Sequence, residues 1–266
     1  IPITLRNKEA THMSRKTQPP PSDESLQRQL VDLKLPFMRT HYEELASEAA
    51  RREWTPLTYL KALVAGEADT RHERRVARRL KQAQLPVIKT LEQFDFTWPN
   101  KINRAQVEDL FRLKFVADKS NVLLLGLVGL GKTHLSIALG QAACERGYRV
   151  LFTTAVDAIN ALSAAQLGGK FEQEIKKYTR PDVLIVDEVG YLPVDKRGAD
   201  LLFQIVSKRY ERGSIVLTTN KAYKDWSEIF NNDSTLASAI LDRLLHHSET
   251  VMITGKSYRG DKHDMN

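Results

Sequence analysis

The segment Gly126-Leu127-Val128-Gly129-Leu130-Gly131-Lys132-Thr133 matches the spacing G-x-x-x-x-G-K-[ST]. It follows a short apolar run, Val122–Leu125, and opens a helical pattern, Lys132–Arg146. That strand-to-helix setting is the one this spacing requires. Gly126, Gly129 and Gly131 let successive backbone N–H groups turn inward and cradle phosphate oxygens. The helix N-terminus adds the positive end of its dipole. Lys132 is placed to reach β- and γ-phosphates, and the Thr133 hydroxyl to bind Mg2+.

Two further sets of residues fit the same chemistry. The run Val183-Leu184-Ile185-Val186 ends in Asp187-Glu188. Four apolar residues bury a strand, and the acids emerge at its carboxyl end, the edge that holds ligands in open α/β sheets. Asp187 suits the hold on Mg2+, and Glu188 can activate a water for in-line attack on the γ-phosphate. Alone, such a pair reads as two surface acids; beside the phosphate loop it reads as hydrolytic machinery. A later run ends in Thr218-Thr219-Asn220. A polar side chain there can meet the γ-phosphate or the attacking water, with Asn220 the first choice and Thr219 the second. A guanine reader N-K-x-D is not present, because Asn220-Lys221-Ala222-Tyr223 has Tyr in place of the acid. ATP is therefore the expected nucleotide.

These residues need a scaffold that lines up strand ends. Apolar runs alternate with helical patterns: Val122–Leu125 then Lys132–Arg146, Arg149–Thr154 then Val156–Gln166, Val183–Val186 then Arg197–Tyr210, Ser214–Thr219 then Thr235–His246, and finally Thr250–Thr254. Five short runs rich in Val, Ile and Leu, separated by helices, predict a five-stranded parallel sheet covered on both faces. Residues 121–260 form this ATPase domain. Leu85-Pro86 and Trp98-Pro99 bracket a linker, and residues 91–120 make up linker and lead-in helix.

The N-terminal part reads differently. Residues 1–21 are a polar leader ending in Pro19-Pro20-Pro21. The Thr11-His12-Met13-Ser14 junction reads as an appended segment before a start methionine, so residues 1–12 are set aside. Residues 22–90 predict a small all-α module. Ser22 or Asp23 caps a first helix bearing Leu26, Leu30 and Leu33. Tyr42, Leu45 and Ala49 mark a second, ending near Trp54-Thr55-Pro56, and Leu57, Leu60, Leu63 and Val64 a third that continues through Glu67 to Gln84. Residues 261–266 are a tail.

The 266 residues carry a formal charge of +7. Residues 71–90 hold seven basic side chains against Glu73 alone, so the excess is mostly local. Val76, Leu80 and Ala83 recur at helical spacing, so Arg74, Arg75, Arg78 and Arg79 read either as a solvated face or as phosphate-contacting groups. With 42% hydrophobic and 27% charged residues, wholesale disorder is excluded. No run of eighteen apolar residues or signal pattern occurs, so a cytoplasmic chain without a membrane span is expected. The single cysteine, Cys144, excludes an internal disulfide framework.

In combination these residues resemble the AAA+ branch of P-loop ATPases. Ala237-Ser238-Ala239-Ile240-Leu241-Asp242-Arg243-Leu244 resembles the helix that carries the arginine finger in initiator-type members. The resemblance implies that Arg243 enters a neighbouring subunit's site; the alternative is an Asp242-Arg243 surface pair. A closer resemblance joins Glu67 with Arg71, Arg74-Arg75, Leu91-Glu92-Gln93-Phe94-Asp95-Phe96, Gly131-Lys132-Thr133-His134, Asp187-Glu188-Val189-Gly190-Tyr191 and Gly255-Lys256-Ser257-Tyr258-Arg259. Over residues 23–260 this set is similar to the IstB-like helper ATPases of bacterial insertion sequences, relatives of DnaC-like helicase loaders. Leu127-Val128 departs from the small or proline residues usual there. Backbone amides do the binding, so tolerance is expected.

The resemblance implies an AAA+ fold, and an ATPase stimulated by DNA that forms a homo-oligomer on double-stranded DNA. It also implies that this oligomer delivers the DNA to the transposase of the same element. It adds His134 to the nucleotide site and gives Arg259 a phosphate-sensing role. It places DNA contacts within Val156–Arg180, where Lys170, Lys176, Lys177 and Arg180 lie around a Gly168-Gly169 turn. The same segment reads equally as two solvated amphipathic helices with Phe171 and Ile175 inward. Three other functions fit the phosphate loop and acid pair. They are a replicative helicase loader, a small-molecule P-loop kinase and a non-catalytic DNA-binding scaffold.

Overall fold

The central strands are apolar from end to end, and the fold buries both of their faces. The computed structural model describes residues 23–98, 101–255 and 257–258. The leader, the tail and Arg259 lie outside the described residues. The chain divides into two compact units between His72 and Glu73.

The first unit is helical: α1 (Asp23–Asp32), α2 (Pro36–Arg51) and the N-terminal part of α3 (Pro56–Ala83). Pro36 and Pro56 each open a helix, where the missing N–H costs nothing. No side chain of the preceding residue, Leu35, caps α2. Instead the buried Glu67 of α3 accepts hydrogen bonds from Phe37 N (2.9 Å) and Met38 N (3.3 Å). Arg71 holds Glu67 through Nε at 3.2 Å and donates Nη2 to Lys34 O at 3.0 Å. A pair four residues apart on one helix thus caps the next helix and fixes the turn between them. Leu63 is buried here, whereas Leu57, Leu60 and Val64 are at least half exposed.

The second unit begins within α3 and continues through α4 (Arg104–Leu110) and α5 (Lys114–Ala117) into the α/β layers. In chain order these are β1 (Asn121–Gly126), α6 (Lys132–Glu145), β2 (Val150–Thr154), α7 (Ala155–Leu167), α8 (Phe171–Thr179), β3 (Val183–Val189), α9 (Lys196–Arg209), β4 (Ser214–Thr219), α10 (Trp226–Ile229), α11 (Ser234–Leu245) and β5 (Ser248–Ile253). All four strand pairings are parallel, in the order β2-β3-β4-β1-β5. Alternate residues face opposite layers. Val122, Leu124, Val183, Ile185, Val216 and Val251 pack with α6 and the lead-in helices. Leu184, Val186, Ile215 and Leu217 pack with α7, α8, α9 and α11. At the C-terminal end of α3, Ala83 is buried in the first layer while Arg74, Arg75 and Arg78 stay exposed.

The strand order has one consequence for chemistry. β4 lies between β1, which leads into the phosphate loop, and β3, which ends in the acid pair. Side chains at the carboxyl end of β4 therefore stand between the two motifs. Asn121 fixes the opposite end: its amide donates to Leu244 O at 3.0 Å and accepts from Ile215 N at 2.9 Å. Cys144 is buried, and burial pushes its thiol up to about 11, so it carries no thiolate at neutral pH. Among the described residues, no helix is long and apolar enough to cross a membrane.

Candidate nucleotide site

Helices α7, α9 and α11 each begin with a side-chain cap, from Thr154, Asp195 and Asp233. Helix α6 does not. The residue before it is Gly131, in the left-handed region at φ 85°, and no side chain accepts from its first N–H groups. Gly129 is also left-handed, at φ 76°. A Cβ on either glycine would meet a neighbour, the Phe94 ring at Gly131 and Ser257 at Gly129. The chain thus leaves a helix N-terminus without a side-chain cap behind a backbone cradle, the arrangement that receives a phosphate. Leu127 and Val128 are exposed, so their bulk does not disturb the cradle. Lys132 Nζ donates to Leu127 O at 2.8 Å, across the loop.

The acids meet this loop through hydroxyls. Thr133 Oγ1 lies 3.1 and 3.0 Å from the two carboxylate oxygens of buried Asp187. Thr218 of β4 donates to Asp187 Oδ1 at 2.5 Å and accepts from Glu188 N at 2.9 Å. The β3–β4 register shifts between Val186 and Val189, and Glu188 sits there with φ 62°. That bulge takes Glu188 out of the ladder and leaves its side chain exposed while Asp187 stays buried. Thr133 and Asp187 are a hydroxyl and a carboxylate side by side, the oxygen donors that Mg2+ takes.

Lys132, Thr133, Glu188 and Asn220 line one small cavity of about 40 Å³, together with Tyr191, Thr218 and Thr219. Asn220 Oδ1 is buried there without a hydrogen-bond partner. An orphaned polar atom in a space that fits a single water points to a polar guest. Thr219 Oγ1 accepts from Lys221 N at 3.1 Å.

A second cavity, about 450 Å³, opens on the other side of the loop. The linker closes one wall with Phe94, Asp95 and Trp98; Tyr258 closes another. His134 Nε2 lies 2.9 Å from Thr90 O, and its ring meets Phe94 edge-on at 5.5 Å. Tyr258 N donates to Gly129 O at 3.0 Å, and its ring meets Trp98 edge-on at 5.2 Å. Apolar rings beside a phosphate cradle suit a flat base.

The remaining expected residues lie elsewhere. Gly126 ends β1 at the base of the loop. Arg243 of α11 lines neither cavity: its guanidinium lies over Phe203 of α9 at 4.9 Å, and Nη1 donates to Ala239 O at 2.9 Å. Lys176, Lys177 and Arg180 of the α8 region share a groove of about 720 Å³ with Arg149 and the end of α3 at Gln82 and Gln84. Lys177 also pairs with Glu174 at 2.6 Å. Lys170 stands at the start of α8, outside that groove. The Gly168-Gly169 turn separates α7 from α8, with Gly169 at φ 68°. Ile175 is buried and Phe171 partly so.

Thr218 is the residue sequence reasoning passed over. A threonine in a β-rich run reads as strand propensity, and nothing local ties it to Asp187. Thr218→Val is expected to keep the strand but strip Asp187 of a buried donor. It should lower stability by about 1–3 kcal/mol in denaturant titration and weaken Mg2+-dependent nucleotide binding. Unchanged binding would show that Thr133 alone holds Asp187 in place.

Comparison with known proteins places the chain in a family. The sequence profile of the IstB-like ATP binding protein family matches residues 28–265. The "Insertion sequence IS21 putative ATP-binding protein" of Pseudomonas aeruginosa is 46% identical over 230 residues, 86% of each chain. The corresponding protein of insertion sequence IS5376 from Geobacillus stearothermophilus is 40% identical over 227 residues, 85% of this chain and 90% of that one. A solved replication initiator DnaA, bound to AMPPCP and single-stranded DNA, superposes with TM-score 0.53 at 26% identity. It covers 64% of this chain and 51% of its own. The DnaC helicase loader shares the fold, with TM-score 0.51 at 21% identity over 62% of this chain and 96% of its own. The chain is an ATP-binding protein with the AAA+ fold, and it belongs to the IstB-like ATP binding protein family.

Proposed function

We propose that this chain hydrolyses ATP, assembles as a homo-oligomer on double-stranded DNA, and delivers that DNA to the transposase of its own insertion sequence. The observation that carries the hydrolytic reading is Glu188, held out of the ladder beside a cavity shared with Lys132, Thr133 and Asn220. A water in that cavity would lose a proton to the Glu188 carboxylate as its oxygen attacks the γ-phosphorus, and ADP would leave in line. Asn220 would hold that water or a γ-oxygen. Thr133 and Asp187 would hold Mg2+, which when bound neutralises charge building on the phosphates. Phe94, Trp98 and Tyr258 would receive the base, and Arg259 would serve as the phosphate-sensing arginine.

The lining of the site among the described residues supports the oligomer. No described arginine lines either cavity, while Arg243 rests on Phe203. We assign Arg243 to the next subunit's γ-phosphate. Arg243→Ala is expected to spare nucleotide binding and abolish stimulated hydrolysis. Mixing it with a Lys132→Ala partner should restore part of the rate, because one interface then holds an intact loop and an intact arginine. No recovery at any ratio would place the arginine in its own subunit's site.

DNA would lie against the basic groove of Arg149, Lys176, Lys177 and Arg180 and the exposed Arg74, Arg75 and Arg78. The helical N-terminal module, residues 22–90, would dock the transposase. The test is the ATPase rate with and without duplex DNA, with particle size recorded in parallel. Stimulation with growth in size, both lost steeply as salt rises, is the expected result. No stimulation would favour a small-molecule kinase, and DNA binding indifferent to ATP a passive scaffold. Capture of a replicative helicase instead of the transposase by the full chain would favour a loader.

A further inference from the structure

We propose a second ion site, for a transition-metal ion of the Zn2+ class, formed by Glu211, His246 and His247 at the edge of the sheet opposite the phosphate loop. One ligand atom from each residue lies within 4.8 Å of the others. All three side chains are exposed. Glu211 follows α9 and His246 and His247 follow α11, so two turns remote in sequence supply the set. His247 Nε2 is 3.9 Å from Glu211 Oε1, and the two imidazole rings are 4.0 Å apart between centroids.

Two imidazoles and one carboxylate select Zn2+, Ni2+ or Cu2+ over Mg2+, which prefers oxygen alone. Tetrahedral Zn2+ with ligands about 2.0–2.1 Å away needs donors roughly 3.3 Å apart. Exposed side chains reach that spacing by rotamer changes, and a water fills the fourth position. A further contact orients the set: Tyr210 Oη lies 2.7 Å from His246 Nδ1. With the proton on Nδ1, that contact leaves Nε2 as the ligand, the arrangement that metal-binding histidines use. Glu211 sits in the left-handed region at φ 57°, so the turn that presents it is sharply bent. A bound ion would tie the C-terminal ends of α9 and α11, the two helices between which Arg243 lies on Phe203. The site itself does not depend on the ATPase reading.

The test is calorimetric titration of the full chain, stripped with chelator, with Zn2+ alone and no nucleotide. One ion per chain and a rise in Tm are expected. His246→Ala and His247→Ala should each weaken binding on the order of 100-fold or more, and Tyr210→Phe roughly 10-fold. None of the three should change the Tm without metal or the affinity for ATP. No binding by the unaltered chain overturns the proposal. So does equal binding by the His246→Ala/His247→Ala double variant, which would place the ion elsewhere.

Discussion

Glu188→Gln is expected to bind ATP as tightly as the unaltered chain and to hydrolyse it at least about 100-fold more slowly. Glutamine has the same size and keeps the exposed position, so the bulge, with its Glu188 N to Thr218 Oγ1 bond, has no reason to move. What is lost is the carboxylate proposed to take the proton of the attacking water. The neighbouring Asp187 cannot replace it. Asp187 is buried, and both of its oxygens already meet the hydroxyl of Thr133, one of them Thr218 as well. Binding by fluorescent nucleotide and turnover by phosphate release separate the two effects. Binding should hold while turnover falls. Turnover equal to that of the unaltered chain would remove Glu188 from the reaction. Weakened binding with proportionate loss of rate would make it a ligand rather than a base. Because DNA binding is tied to the nucleotide-bound state in the proposed function, the same variant should stay on DNA longer.

The contrast between Glu188 and Thr218 shows what a sequence can convey here. The phosphate loop, Asp187-Glu188 and Asn220 were legible because each is a local pattern: residues adjacent in the chain, at the end of a run whose apolar character marks it as a strand. The strand spans were legible for the same reason, so β4 at Ser214–Thr219 coincides with the expected run. Strand order was not legible. Pairing β4 between β1 and β3 is a long-range event with no local signature, and it alone puts Thr218 on Asp187. Glu67 was noticed only through resemblance. Its contact, capping α2 from α3, links residues 30 apart in sequence and looks from sequence like one more solvated acid on a basic helix. The basic residues were legible as charge but not as a surface. Folding groups Lys176, Lys177 and Arg180 with Arg149, which the sequence places two elements earlier, and leaves Lys170 apart.

Arg209→Met is expected to cost about 3–5 kcal/mol of stability. From sequence it is an ordinary basic residue in the last turn of α9. In the fold it is 1% exposed and ties the base of the sheet together. Nη1 donates to Tyr178 O at 2.8 Å and Pro181 O at 2.9 Å; Nη2 donates to Ser214 O at 2.7 Å and Asp182 O at 3.2 Å. These four carbonyls belong to the end of α8 and the starts of β3 and β4. Burial pulls the guanidinium down to about 10, and the Asp182 carboxylate opposes that shift. It therefore remains charged at neutral pH. Methionine fills much of the volume but removes the guanidinium donors of Tyr178 O, Pro181 O and Ser214 O, each a cost of about 1–3 kcal/mol before water enters, while Asp182 O keeps its bond from Ser214 N. Lysine carries the charge without the planar fork, so Arg209→Lys should recover only part of the loss. Because β3 and β4 start beside Arg209 and carry Asp187 and Thr218 near their other ends, slippage at the base shifts the proposed Mg2+ end as well. Denaturant titration should show the stability loss in the Arg209→Met chain. Mg2+-dependent nucleotide affinity should fall with it under conditions where the chain is still folded. A full loss of stability with unchanged affinity would mean that the two ends of the sheet are uncoupled.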